Sequence, residues 1–153
     1  AALAPRVGLT AVPREALRFP LRWRGQGESM TALIPDAVLR GANRTVVVDA
    51  KYKSHLQQIA RRGWHHQSAA VHDGHRADLH QALAYAALHD VDATDVLLVY
   101  PRIGAELPPT TATVVSGRRT VRVWLVDLAF GTTNPAERER DLGRWGAMLR
   151  SEG

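Results

Sequence analysis

Val46, Val47 and Val48 stand in a row inside the segment RTVVVDAKY, and that run constrains the fold more than any other feature of the chain. Successive side chains of a strand point to opposite faces, so consecutive valines put apolar surface on both sides of the backbone. A strand of that kind is covered on both faces, which makes residues 44–52 a central strand in a layered structure. Upstream, Gly41-Ala42-Asn43 is a turn-forming cluster flanked by apolar runs, and residues 30–40 read as the other arm of a β-hairpin.

Chemistry gathers at the end of this hairpin. Asp49 and Lys51 are two apart on an extended strand, so they project from the same face while Ala50 faces away. An even-length loop centred on Ala42-Asn43 would set Asp36, which follows Pro35, opposite Asp49 across the antiparallel pair; a slip of one residue would separate them. In that register two carboxylates and an ammonium converge. Their mutual repulsion is only partly offset by Lys51 and would be resolved by a bound cation, for which hard oxygen donors suit Mg²⁺ or Mn²⁺.

Pro-Asp, a dozen residues, then Asp-x-Lys on adjacent strands resembles the signature of the PD-(D/E)XK nuclease superfamily. With DAKYK closing an apolar strand, a helix carrying Gln81-Ala-Leu-Ala-Tyr85 and the following strand VLLVYP, residues 30–130 look most like the McrC nuclease subunits of methylation-dependent, McrBC-type restriction systems. The resemblance implies a restriction-endonuclease-like α/β core with a central mixed β-sheet flanked by helices. It implies a Mg²⁺-dependent DNA endonuclease (Mn²⁺ as substitute) in which Asp36, Asp49 and the Ala50 carbonyl hold the metal. Lys51 would orient or deprotonate the attacking water and stabilise phosphoryl charge, and Gln81 and Tyr85 would support the site and contact DNA. The implied partners are DNA, possibly methylated, and a McrB-like AAA+ GTPase motor; no G-x-x-x-x-G-K-[ST] phosphate loop occurs in these residues. Family members open with a helix bearing a glutamate near the metal. Here prolines 5, 13 and 20 interrupt the N-terminal stretch, residues 1–15 read as an irregular arm, and neither Glu15 nor Glu28 has that helical setting.

At 153 residues, 45% of them hydrophobic, the chain suits a single domain. It opens on Ala1 rather than Met, as a fragment of a longer protein would. No stretch approaches the ~20 apolar residues of a membrane helix, there is no signal-peptide core, and cysteine is absent, which together suggest a cytoplasmic protein. A net charge of +5, dominated by Arg, favours polyanions, although compositional drift toward Arg and Ala gives the same excess.

The remaining elements follow from pattern. Leu17, Phe19, Leu21 and Trp23 alternate as a first strand, SHLQQIARRG reads as a short helix, residues 63–75 as a loop overhanging the site, and Asp78 as the N-cap of a helix ending near Asp90. Strands follow at TDVLLVYP and on either side of a Ser116–Arg119 turn. Asn134-Pro135-Ala136-Glu137 starts a C-terminal helix with Leu142, Trp145 and Leu149 at helical spacing. The histidines between 65 and 89 lack zinc spacing and read as solvated, with His80 a possible phosphate contact; Trp64 reads as an anchor of its loop to the core. Two other functions fit the same residues: an inert nuclease-fold subunit that tethers DNA or an assembly, and a repair or RNA nuclease of the superfamily.

Overall fold

A computed structural model describes residues 2–22, 24, 30–53, 55–130 and 134–151; the expectations for Trp23 and Glu28 lie outside these. The strands are β1 (Thr10–Ala11), β2 (Phe19–Pro20), β3 (Ala32–Leu33), β4 (Ala37–Arg40), β5 (Arg44–Ala50), β6 (Ala93–Pro101), β7 (Thr110–Ser116) and β8 (Arg119–Leu128). The helices are α1 (His55–Arg62), α2 (Ala69–Ala87) and α3 (Pro135–Ser151). Among the described residues six strands form one sheet in the order β1-β4-β5-β6-β8-β7. β5, β6 and β8 run parallel, while β1, β4 and β7 are antiparallel to their neighbours. This is the expected α/β architecture with a central mixed sheet.

The valine run behaves as its composition requires. Val46 and Val47 are fully buried on opposite faces. Val47 packs with Val96, Leu98, Tyr100 and the α2 residues Ala82, Tyr85 and Ala86. Val46 packs with Leu97, Val99, Trp124 and the α3 residues Trp145 and Leu149. Each fully buried large apolar side chain contributes about 1.5–3 kcal/mol, so the two helical layers clamp the sheet from both sides.

Several boundaries differ from expectation for identifiable reasons. The 30–40 arm is split: β3 pairs with β2 in a separate two-stranded sheet, and only β4 continues the hairpin. Pro35 lies at the break, where it supplies no N–H and restricts Ile34. The first strand shrinks to Phe19–Pro20, with Leu21 exposed although its N still donates to Thr31 O at 2.9 Å. The N-terminal stretch expected to be irregular contains 3₁₀ turns at Ala4–Val7 and Arg14–Ala16 and the edge strand β1; Glu15 sits in the second turn. Leu3 and Ala4 join the α3-side core.

The largest difference concerns residues 63–75. Only 63–68 lie outside α-helix, with a 3₁₀ turn at Trp64–His66, and α2 begins after Ser68, whose side chain accepts from Val71 N at 3.4 Å. Asp78 is therefore mid-helix and buried, not a cap. Trp64 stacks on His72 (ring centroids 4.3 Å apart) and meets His75 edge-on, so it ties its turn to α2 instead of to the core. His89 is buried at the end of α2 against Phe19, not solvated. Burial, then the charge of Arg40, hold its pKa below the usual histidine value.

Two buried ion clusters, neither anticipated from sequence, fasten the sheet. Asp95 accepts from Arg44 Nε and Arg122 Nε, each at 2.7 Å, and from Trp124 Nε1 at 2.9 Å. Asp127, fully buried, accepts from Arg102 Nε (3.1 Å), Arg144 Nη2 (2.8 Å) and Leu107 N (2.9 Å); Asp141 of α3 accepts from Arg102 Nη2 at 2.6 Å. The second cluster joins β8, the segment after β6 and α3. As expected, Asn134 caps α3, its Oδ1 accepting from Ala136 N at 3.0 Å. Among the described residues no helix is long and apolar enough to cross a membrane.

Candidate active site

The hairpin turn sets the register on which the site depends. Gly41 N donates to Arg44 O at 2.8 Å, and Arg40 pairs with Thr45, which leaves Ala42 and Asn43 as the two turn residues. The ladder runs to Ala37 opposite Val48, and its next step sets Asp36 against Asp49. Asp36 lies just beyond the end of β4. Its Oδ2 accepts from Ala50 N at 2.6 Å, which turns the carboxylate toward β5. An extended residue presents its N–H and C=O on the same strand edge, so the Ala50 carbonyl leaves on the side where Asp36 stands.

Lys51 is placed by the parallel neighbour, its N donating to Val99 O at 2.7 Å. Its ammonium reaches Asp49 Oδ2 at 2.6 Å, Gln81 Oε1 at 2.6 Å and Asp78 Oδ1 at 3.3 Å. Three acceptors match the three hydrogens of the ammonium. The chain of contacts continues outward: Gln81 Nε2 donates to Tyr85 OH at 2.7 Å, and Tyr85 OH donates to Ile34 O at 3.2 Å. Gln81 and Tyr85, one helical turn apart on α2, thus reach the same locus as the strand residues, and the last bond ties the helix to the Pro35 corner.

Asp78, which the pattern reads as a helix cap, and Tyr100 complete the arrangement, and neither is among the site residues expected from sequence. Tyr100 OH donates to Asp78 Oδ2 at 2.9 Å, while the other Asp78 oxygen faces Lys51. A signal existed: Asp78, Gln81 and Tyr85 fall at i, i+3 and i+7, the spacing of one helical face. Assigning Asp78 to the cap hid it.

Asp49 and Asp78 both contact the Lys51 ammonium, and the Asp36 carboxylate is close enough to Asp49 to act on its charge. Burial raises the Asp49 pKa above its usual range; the bond and charge of Lys51 oppose this and the Asp36 carboxylate adds to it. Tyr85 is pushed up to about 12 by burial and by the Asp49 charge, so it remains a neutral hydroxyl. Tyr100 is raised too, by burial and by Asp78.

The donor set suits a hard divalent cation. Each of Asp36 and Asp49 has lone pairs beyond those used in the contacts above, the Ala50 carbonyl lies on the same edge, and Mg²⁺ typically takes only one or two carboxylates and keeps water elsewhere. Among the described residues no group of three or more histidine, aspartate or glutamate side chains converges as a ready cage, so water or substrate would fill the remaining positions.

Residues 14–101, which contain every residue of this centre, match the family described as McrBC 5-methylcytosine restriction system component. The chain belongs to that family. A search among curated proteins finds no match. Among solved structures, this McrBC-family chain is similar to one chain of a refined half-complex from a tetradecameric assembly of Thermococcus gammatolerans McrB AAA+ hexamers with bound McrC. The identity is 16%, the TM-score 0.44, and the match covers 94% of this chain and 29% of that one. The family match spans β4, β5, α2 and β6, the elements that carry or directly flank the acids, Lys51, Gln81, Tyr85 and Tyr100.

Proposed function

We propose that this domain is a metal-dependent DNA endonuclease of a restriction system, cutting phosphodiester bonds at the Asp36–Asp49–Lys51 centre. The observation that supports it most is the Lys51 ammonium, half-buried and held between Asp49, Gln81 and Asp78, with the Asp36 carboxylate at the adjoining end of β4. All three of its hydrogens have an acceptor, which fixes the ammonium in one place beside Asp49.

In this reading Asp36, Asp49 and the Ala50 carbonyl hold Mg²⁺. The chemistry such an ion would supply there is polarisation of a phosphoryl oxygen and a lowered pKa for the attacking water. Lys51 offers its charge to the phosphoryl oxygens as negative charge develops and orients the water, a role that needs a fixed ammonium in a partly desolvated place. Gln81 hands the orientation of Lys51 on to Tyr85, and the Tyr85 hydroxyl holds the Pro35 corner that presents Asp36. A McrB-like AAA+ GTPase is the proposed motor, and methylated DNA the proposed target of the assembled system.

Plasmid DNA, single-stranded DNA and RNA incubated with the domain and Mn²⁺ test the reading. Nicking or linearisation of DNA is expected, lost with chelator and in Asp49→Asn. If RNA alone is cut, the substrate assignment changes to an RNA nuclease. If DNA is bound equally by the parent and Asp49→Asn without metal, and is not cut even with the motor added, the domain is a tether.

A further inference from the structure

Beside the charged centre lies a cavity of about 580 Å³ of different chemistry. Its walls are Met30, Ala32, Leu33 and Ile34 from the segment around β3, all apolar, and His80, Gln81, Ala84 and Tyr85 from α2. The volume falls within the range of roughly 300–1,000 Å³ typical of small-molecule sites. Met30 and Ile34 are 53% and 52% exposed, so large apolar side chains rim a cavity adjoining a cluster of charges. Gln81 and Tyr85 belong to both: they are bonded to Lys51 and to each other, and they form cavity wall.

The geometry points to a nucleobase pocket: the base of the nucleotide next to the scissile phosphate leaves its stack and enters this cavity. The inference rests on the nuclease reading, because it takes the phosphate to be at Asp36, Asp49 and Lys51. A phosphate held there is tied covalently to a sugar and a base within a residue's reach of the shared wall. A base has two apolar faces and a polar edge, which matches a cavity with aliphatic side chains on one flank and an imidazole, an amide and a phenol on the other. A base paired in a duplex cannot enter a concave site, so entry requires unstacking, which is least costly for mismatched or unpaired bases. Contact with the aromatic and apolar walls offsets that cost. The domain therefore prefers to cut beside an unpaired nucleotide.

Duplex DNA carrying 5-iodouracil at scattered positions, half of it placed in single mismatches, is irradiated with the domain in Ca²⁺, and cross-linked peptides are mapped. Adducts within 30–34 or 80–85 are expected, enriched for mismatched positions, and reduced about tenfold in Ala84→Phe, which fills the cavity, and in Ile34→Ser, which changes an exposed side chain that folding does not need. Adducts only elsewhere, or unchanged in both variants, overturn the pocket. Mn²⁺-dependent cleavage by the parent and Asp49→Asn is measured in parallel. Cleavage lost in Asp49→Asn without pocket adducts removes the pocket and keeps the nuclease; pocket adducts without cleavage under any condition keep the base site and remove the nuclease.

Discussion

Lys51→Ala is expected to lower the single-turnover rate of Mn²⁺-dependent DNA cleavage by about 10²–10³-fold, the loss typical when one preorganised electrostatic group is removed from a reacting centre. The reason is geometric. The ammonium is held at 2.6 Å from both Asp49 and Gln81, residues of two different layers, β5 and α2. DNA binding measured in Ca²⁺ is expected to change little, which separates a lost transition-state contact from lost affinity. Asp78→Asn is the informative companion. It keeps the shape and an oxygen for Tyr100 but removes the charge that steadies Lys51, so a smaller loss of about tenfold is expected, carried by kcat and not by KM. Cleavage by Lys51→Ala at the parental rate would remove the assignment of Lys51 to the chemistry.

The largest stability effect is expected far from the strands' acids, at Asp127. This carboxylate is fully buried between Arg102 and Arg144, and its removal takes the central acceptor from both guanidiniums, leaving Asp141 to Arg102 and Glu106 to Arg144. Breaking a buried pair by deleting one member costs about 3–5 kcal/mol, and Asp127→Ala should lose an amount in that range in urea unfolding. Asp141 still faces Arg102 at 2.6 Å, which keeps the loss from being larger. The effect carries a pH signature. Burial alone would raise the Asp127 pKa, but hydrogen bonds from Arg102, Arg144 and Leu107 N outweigh it and hold the carboxyl below its ordinary value. A carboxyl depressed in the folded state contributes stability that is present above the unfolded pKa, near pH 4, and is lost as pH falls through the folded pKa. The difference between parent and variant should therefore be full at pH 7 and shrink below about pH 4. A constant difference across that range would show that the lost contribution is packing and not charge.

Sequence carried the centre of the fold well because the relevant signals are local. Three valines in a row, a two-residue turn and i, i+2 alternation set β5, its partner and the convergence of Asp36, Asp49 and Lys51. The i, i+4 pair Gln81 and Tyr85 lies on α2 as its spacing required, joined by a direct hydrogen bond. What pattern reading missed depends on partners distant in sequence. Asp78 looks like a cap because aspartate favours caps, yet its carboxylate is claimed by Lys51 and Tyr100 from the sheet, and α2 starts ten residues earlier at a serine. Asp95 and Asp127 sit in apolar strands where charge is unexpected, and only the folded chain brings Arg44 and Arg122, or Arg102 and Arg144, to them. Proline effects are legible in kind but not in consequence: residues 30–40 read as one hairpin arm, whereas Pro35 divides them into two strands that belong to different sheets.

Metal capture by the two strand acids is the claim on which the functional account stands, and it can be tested without a motor or a known recognition sequence. Calorimetric titration of Mn²⁺ into the domain and into Asp36→Ala measures it directly. Saturable binding by the parent, weakened by at least about tenfold in the variant, is the expected result, in line with the loss of one ligand from a site that has few. Equal binding by both proteins, or none by the parent, would contradict the placing of a divalent cation between Asp36 and Asp49.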